Sequence, residues 1–201
     1  AGPELLQTYG PEREYAADEN ILNSTRATDF ITPKSEISRL VRDASLDLAR
    51  EHDFARRIVN SGRLSVPTTL TGSPLNTPDT DAFAGKMVPG APLTDAPVAR
   101  ADGKASWLLR EAARDFTLLM FGPVPAWALG LPHVTAISVG QDLMDVQGLV
   151  QQRLDATPGT AYLIRPDQHV AARWRQPSEA AVRAALATAT AQSSRCIPVA
   201  A

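Results

Sequence analysis

Cysteine is almost missing from this chain: among 201 residues only Cys196 is present. One thiol can neither close an intrachain disulfide nor supply a CxxC pair, so a disulfide scaffold and a dithiol redox site are both excluded. Histidine is scarce too. His52, His133 and His169 are far apart and show no H-x-x-x-H or H-E-x-x-H spacing, so no helix-borne metal site is encoded. The 12 glycines form neither G-x-G-x-x-G nor G-x-x-x-x-G-K-[ST], which leaves no glycine-rich loop to cradle a phosphate. A G-x-S-x-G nucleophile elbow is also missing. No charge of one sign dominates; the formal net charge of -2 gives no electrostatic case for nucleic acid or an anionic membrane as partner. No apolar run approaches the ~20 residues that cross a bilayer, and the opening "AGPELLQTYGPERE" lacks the basic-then-apolar pattern of a signal peptide. A reducing, cytoplasmic setting is the expected location.

What is present is ordinary for a globular protein, with 44% hydrophobic and 21% charged residues. Residues 4 to 23 read as a helix, with Leu5, Leu6, Tyr9, Ala16, Ala17 and Ile21 on one stripe and a firm start expected at Pro11. "FITPKSEISRL" predicts a helix entry with Thr32 as N-cap and Pro33 at the first helical position. Ile37, Leu40, Val41, Ala44 and Leu48 then follow at amphipathic spacing, and "FARRIVN" predicts a short helix ending at Ser61-Gly62. From Gly62 to Pro97 the chain is rich in proline and glycine; it is expected to drape over a surface, with short strands such as "RLSV". Beyond it, "WLLREAARD" suits a helix, "FTLLMF" and "VTAISV" suit buried strands, and "VQGLVQQRLDA" suits a helix. "PSEAAVRAALATATAQ" predicts a last helix starting at Pro177 or Ser178.

Between these lies "YLIRPDQHVAARWR", two alternating runs about a turn centred on Pro166 and Asp167, which suit the middle of a type I turn. Alternation places Tyr162 and Ile164 on one face, with Val170, Ala172 and Trp174 sharing one face of the returning strand. Arg165, Arg173 and Arg175 are then expected on the other face, as a solvated or helix-contacting rim. An aromatic between arginines could stack on a base, but the balanced charge favours a structural hairpin. Carboxylates such as Asp142 and Asp145 show no pairing in sequence. Cys196 follows the last helix beside Arg195 and reads as an inert tail thiol. The pattern of strand, strand, helix, hairpin and helix predicts an α/β class with a mixed sheet.

Laid out in this order, the chain resembles the C-terminal part of the FAD-dependent aromatic hydroxylases of the phenol hydroxylase and 3-(3-hydroxyphenyl)propionate hydroxylase type. Leu6, Tyr9, Glu12 and Arg13 match an L-x-x-Y-x-x-E-R pattern in the helix that closes their flavoprotein portion. "GRLSVPTTLTGSPLNTPD" and "PGAPLTDAPVARADG" resemble the proline-rich entry to their C-terminal domain, and "FTLLMFG" and the hairpin resemble its first central strand and its signature. Gln168 departs from a frequent glycine.

The resemblance implies a thioredoxin-like mixed sheet with flanking helices, preceded by an N-terminal helical segment. On it, 1–61 would end a parent flavoprotein portion and 62–201 would form a thioredoxin-like domain lacking CxxC: Trp127 follows the first central strand, but no cysteine does. The implied role is an accessory, structural region of a monooxygenase whose FAD, reduced by NAD(P)H, hydroxylates a phenol with O2. No catalytic, cofactor-binding or metal-ligating residue transfers to these positions, and FAD and NAD(P)H belong to the parent. The expected partner is an upstream flavoprotein portion of the same polypeptide, with a homodimer as the second option. The competing reading is a free-standing, redox-inactive thioredoxin-like module for binding or oligomerisation. A one-cysteine peroxidase would need its cysteine after the first strand, and position 196 contradicts that.

Overall fold

The computed structural model describes residues 2–59, 67–112 and 114–192. Cys196, Ser61-Gly62 and the strand expected at "RLSV" lie outside the described residues. The chain divides into two compact units, Ala1–Glu12 with Thr69–Ala201, and Arg13–Thr68.

The first unit is built on a seven-stranded mixed sheet. Its strands are β1 (Pro97–Arg100), β2 (Ala105–Trp107), β3 (Phe116–Phe121), β4 (Val134–Val139), β5 (Leu143–Met144), β6 (Ala161–Ile164) and β7 (Val170–Trp174), in the spatial order β2-β1-β5-β4-β3-β6-β7. β3 runs parallel to β4 and antiparallel to β6, and β6 and β7 form an antiparallel hairpin. The near-continuous apolar runs of β3, β6 and β7 follow from burial on both faces. On one face Leu119, Phe121, Tyr162, Ile164 and Val170 pack with Leu108 of α4 (Leu108–Glu111) and Val150 of α6 (Leu149–Arg153). On the other, Leu118, Met120, Leu163, Ala172 and Trp174 pack with Ala128 of α5 (Ala126–Leu129) and with Val182, Ala185 and Ala189 of α7 (Glu179–Ala189). The α/β class, the mixed sheet, the flanking helices and a preceding N-terminal helix are therefore as expected.

Several details differ. α7 starts behind Ser178, whose side chain accepts from Ala181 N as anticipated. In "WLLREAARD", however, Trp107 is drawn into β2 by pairing with Pro97, and the helix is the single turn α4. α6 is likewise short, opening at Gly148 in the left-handed region. The short strands β1, β2 and β5 carry too few alternating residues to be seen in sequence.

The second unit holds most of α1 (Pro3–Ile31), which belongs to the first unit only through Glu12, together with α2 (Glu36–Glu51) and α3 (Asp53–Val59). α1 runs through Pro11 rather than starting there. α2 starts three residues later than expected: Ser35, not Thr32, is the N-cap, accepting from Ser38 N at 3.1 Å. Thr32 instead ends α1, its hydroxyl donating to Thr28 O at 2.7 Å, so the same residue type serves the preceding helix.

Candidate functional site

The residues with chemical potential in the first unit gather along the β6–β7 hairpin. The Arg165–Gln168 turn is closed by Gln168 N donating to Arg165 O at 2.8 Å, and Arg165 N donates to His169 O at 2.8 Å. Gln168 takes φ +67, a left-handed conformation that costs a non-glycine residue of order 1–2 kcal/mol; its side chain donates to Leu109 O at 2.8 Å.

A bulge follows. Leu163 pairs with Ala172 but Ile164 pairs with Val170, leaving Ala171 without a partner opposite. One extra residue reverses the faces beyond it. Val170 thus shares the Tyr162 and Ile164 face, whereas Ala172 and Trp174 turn to the α7 face. This corrects the expectation that all three share one face, although Tyr162, Ile164, Val170 and Trp174 are all buried as anticipated.

Of the solvated or helix-contacting rim, the solvated alternative is corrected, because Arg165 and Arg173 are buried, whereas Arg165 does contact a helix, through Glu12 of α1. Arg165 donates from Nη1 and Nη2 to the two carboxylate oxygens of Glu12 at 2.8 and 2.9 Å. It also donates from Nε and Nη2 to Asp167 at 3.1 and 2.6 Å. The Ser73 hydroxyl donates to the same Glu12 carboxylate. Burial alone would raise the Glu12 pKa, but the hydrogen bonds from Arg165 and Ser73 outweigh it and hold the carboxyl below its ordinary range. Burial also works against ionised Asp167, yet the His169 contact and the Arg165 charge bring it down to about 2.

Further along β7, Arg173 donates to Asp79 from Nε at 2.9 Å and Nη2 at 2.6 Å. Its guanidinium and that of Arg175 lie 4.4 and 3.9 Å from the centroid of Phe83. Arg175 also pairs with Asp155 at 2.5 Å, and its backbone N–H donates to Asp81 at 2.9 Å. The proline-rich segment is held along the free edge of β7 by backbone bonds too, Gly90 N to Val170 O at 2.7 Å and Thr77 N to Ala171 O at 2.9 Å. Gly90, at φ +90, is required there: a Cβ would stand 2.5 Å from Leu70 O. The segment therefore drapes as expected, and it covers a sheet edge that would otherwise be open.

These groups are fastened to one another, which gives them a structural chemistry. Each of the three hairpin arginines is bonded to a carboxylate. The N-termini of α4, α6 and α7 are similarly capped. Leu109 N of α4 donates to Asp95 at 3.0 Å, Gln151 N of α6 to Asp145 at 2.9 Å, and Ala181 N of α7 to Ser178 at 3.2 Å. Asp142 accepts from Ser138 N at 2.8 Å, so both carboxylates that showed no pairing in sequence bond local backbone amides. His52 ends α2, where its ring stacks on Phe54, His133 is exposed before β4, and His169 sits in the hairpin turn. No group of three or more metal-ligating side chains occurs among the described residues, and no described helix is long and apolar enough to cross a membrane. Glu12 stood out in sequence through the L-x-x-Y-x-x-E-R pattern, but its pairing with Arg165 had no signal there, and neither had Asp79 and Phe83.

No protein-family model matches the chain, and no curated protein sequence matches it. Solved structures do. The flavin-dependent monooxygenase PieE, in complex with FAD and substrate, is 21% identical with a TM-score of 0.66, over 96% of this chain and 41% of that one. Aklavinone-11 hydroxylase, in a ternary complex with FAD and aklavinone, is 21% identical with a TM-score of 0.61, over 95% and 36%. The anhydrotetracycline hydroxylase OxyS from Streptomyces rimosus is 23% identical with a TM-score of 0.56, over 94% and 36%. The chain therefore shares its fold with a part, between 36% and 41% of the length, of these flavin-dependent monooxygenases and hydroxylases.

Proposed function

We propose that these residues are the accessory, structural C-terminal region of an FAD-dependent aromatic-ring monooxygenase, whose parent polypeptide uses NAD(P)H and O2 to hydroxylate a phenolic substrate. The observation that carries this reading is a fold shared over 94–96% of the chain with only part of each flavoenzyme. The β3–α5–β4 unit, followed by the β6–β7 hairpin and α7, supports a thioredoxin-like domain. The turn after β3, "GPVPAWALG", places Trp127 in α5 with no cysteine beside it, which supports the absence of dithiol chemistry.

The helix N-termini around the sheet support placing FAD outside these residues. A bound pyrophosphate is commonly held by free backbone amides at a helix N-terminus. Aspartates already occupy those of α4 and α6, where they would repel a phosphate, and Ser178 caps α7. α5 is a single turn of four residues behind Pro125. The flavin chemistry is accordingly assigned to the parent, where the cofactor supplies hydroxylation and the protein orients the ring.

Titration of the 201-residue chain with FAD, followed by flavin fluorescence, tests the division of labour; no saturable micromolar binding is expected. Saturable binding would mean that the flavin site extends into these residues. An upstream coding sequence without a flavin-binding region would overturn the parentage in favour of a free-standing, redox-inactive binding or oligomerisation module.

A further inference from the structure

The described residues of the helical unit, 13–59 and 67–68, hold almost no core. Among them only Ala55 is buried. Ile37, Leu40, Val41 and Leu48 of α2 are 76%, 72%, 58% and 47% exposed, and they lie on one stripe together with Ala44. The less exposed side of α2 is a different one, carrying Arg42, Ser45 and Ala49. There Arg42 donates to Ile31 O at 3.3 Å, and Arg56 of α3 donates to Ala49 O at 2.8 Å. The helix thus turns a mainly polar side to its own neighbours and its apolar side outward. That is the reverse of what a self-sufficient bundle does.

We infer that the outward stripe of α2 is a docking surface for the flavin-binding portion of the same polypeptide; this rests on the function proposed above. The flavoenzymes matched by fold are covered over only 36–41% of their length, although the matches span 94–96% of this chain, so each has a body large enough to cover such a stripe. Size points the same way. A Leu, Ile or Val side chain removes roughly 60–120 Å2 of apolar surface on burial, so the four give about 250–500 Å2. A stable complex of separate molecules buries about 800 Å2 per partner. About 57% of that area is apolar, or roughly 450 Å2, which the stripe reaches only at its upper limit, whereas a tethered portion needs less, since its effective concentration is on the order of millimolar. Charge argues against lipid: Glu36, Asp43, Asp47 and Glu51 outnumber Arg39, Arg42 and Arg50, unlike the basic face of a membrane-surface helix.

Hydrogen–deuterium exchange of residues 36–51 tests this, comparing the 201-residue chain with the full polypeptide encoded by its gene. Exchange at least about tenfold slower is expected in the full polypeptide. Leu40→Glu should restore fast exchange there while leaving residues 116–174 protected, and Arg39→Glu, on the opposite side of α2, should change nothing. Protection of α2 already present in the 201-residue chain as a monomer overturns the inference. So does a concentration-dependent dimer of that chain that Leu40→Glu dissociates. A full polypeptide that holds FAD yet leaves α2 fast-exchanging overturns the docking alone. One that protects α2 but holds no FAD overturns the proposed function and, with it, the identity of the occupant.

Discussion

Replacing Arg165 by methionine should destabilise the sheet unit by about 3 kcal/mol. The Arg165 and Glu12 side chains are only 9% and 11% exposed, and removing one partner of a buried pair typically costs about 3–5 kcal/mol because the other charge is left behind. The lower end applies here. Glu12 keeps the Ser73 hydroxyl, and Asp167, which is 49% exposed, can rehydrate. At roughly 2–4 °C per kcal/mol for a domain of this size, Tm should fall by about 6–12 °C. Urea melts at pH 7 followed by the fluorescence of Trp107, Trp127 and Trp174 would measure it. Glu12→Gln and the double variant complete a cycle whose coupling should fall within about 0.5–3 kcal/mol. The pH dependence supplies a second readout. Glu12 and Asp167 both ionise more readily folded than unfolded, so each contributes stability above its ordinary pKa of 4.5 or 3.8. That contribution is lost as pH falls, for Asp167 down through about 2. Arg165→Met should flatten this acid limb. A loss under about 0.5 kcal/mol at pH 7, with the acid limb unchanged, would refute the reasoning and reduce the clamp to a surface contact.

Trp174→Ala should cost about 3–5 kcal/mol in the same melts, because the ring is enclosed against α7; a change under about 0.5 kcal/mol would put it at the surface. Gln168→Gly should stay within about 1 kcal/mol of the parent, since relief of the left-handed backbone offsets the lost bond to Leu109 O. Gln168→Val should destabilise, and equal melts for the two variants would argue against that conformation. Gly90→Ala should destabilise by more than about 1 kcal/mol, read by the same denaturation, given its φ of +90 and the approach to Leu70 O. An insulin-reduction assay should show no dithiol turnover, because Cys196 has no second cysteine; turnover surviving Cys196→Ser would sink that reading.

The elements legible in sequence were those whose signal is local. β3 and β4 are continuous apolar runs, α7 has a Ser178 cap before an alanine-rich stretch, and the hairpin has Pro166-Asp167 at its turn. Each depends on propensity and periodicity within about ten residues. The Thr32 and Ser35 ambiguity shows the limit even there, since either residue can cap, and the choice fell to the end of α1. What only the tertiary structure decided was non-local. A one-residue bulge at Ala171 moved Trp174 to the opposite face, and no alternation pattern records an unpaired residue. Arg165 and Arg173 are buried with carboxylates 153 and 94 residues away, whose charge offsets the desolvation cost of burying an arginine. The stripe of α2 was equally plain in sequence, but whether amphipathic residues face a core is decided by what packs on them, and here that surface is turned away from the helix's own neighbours.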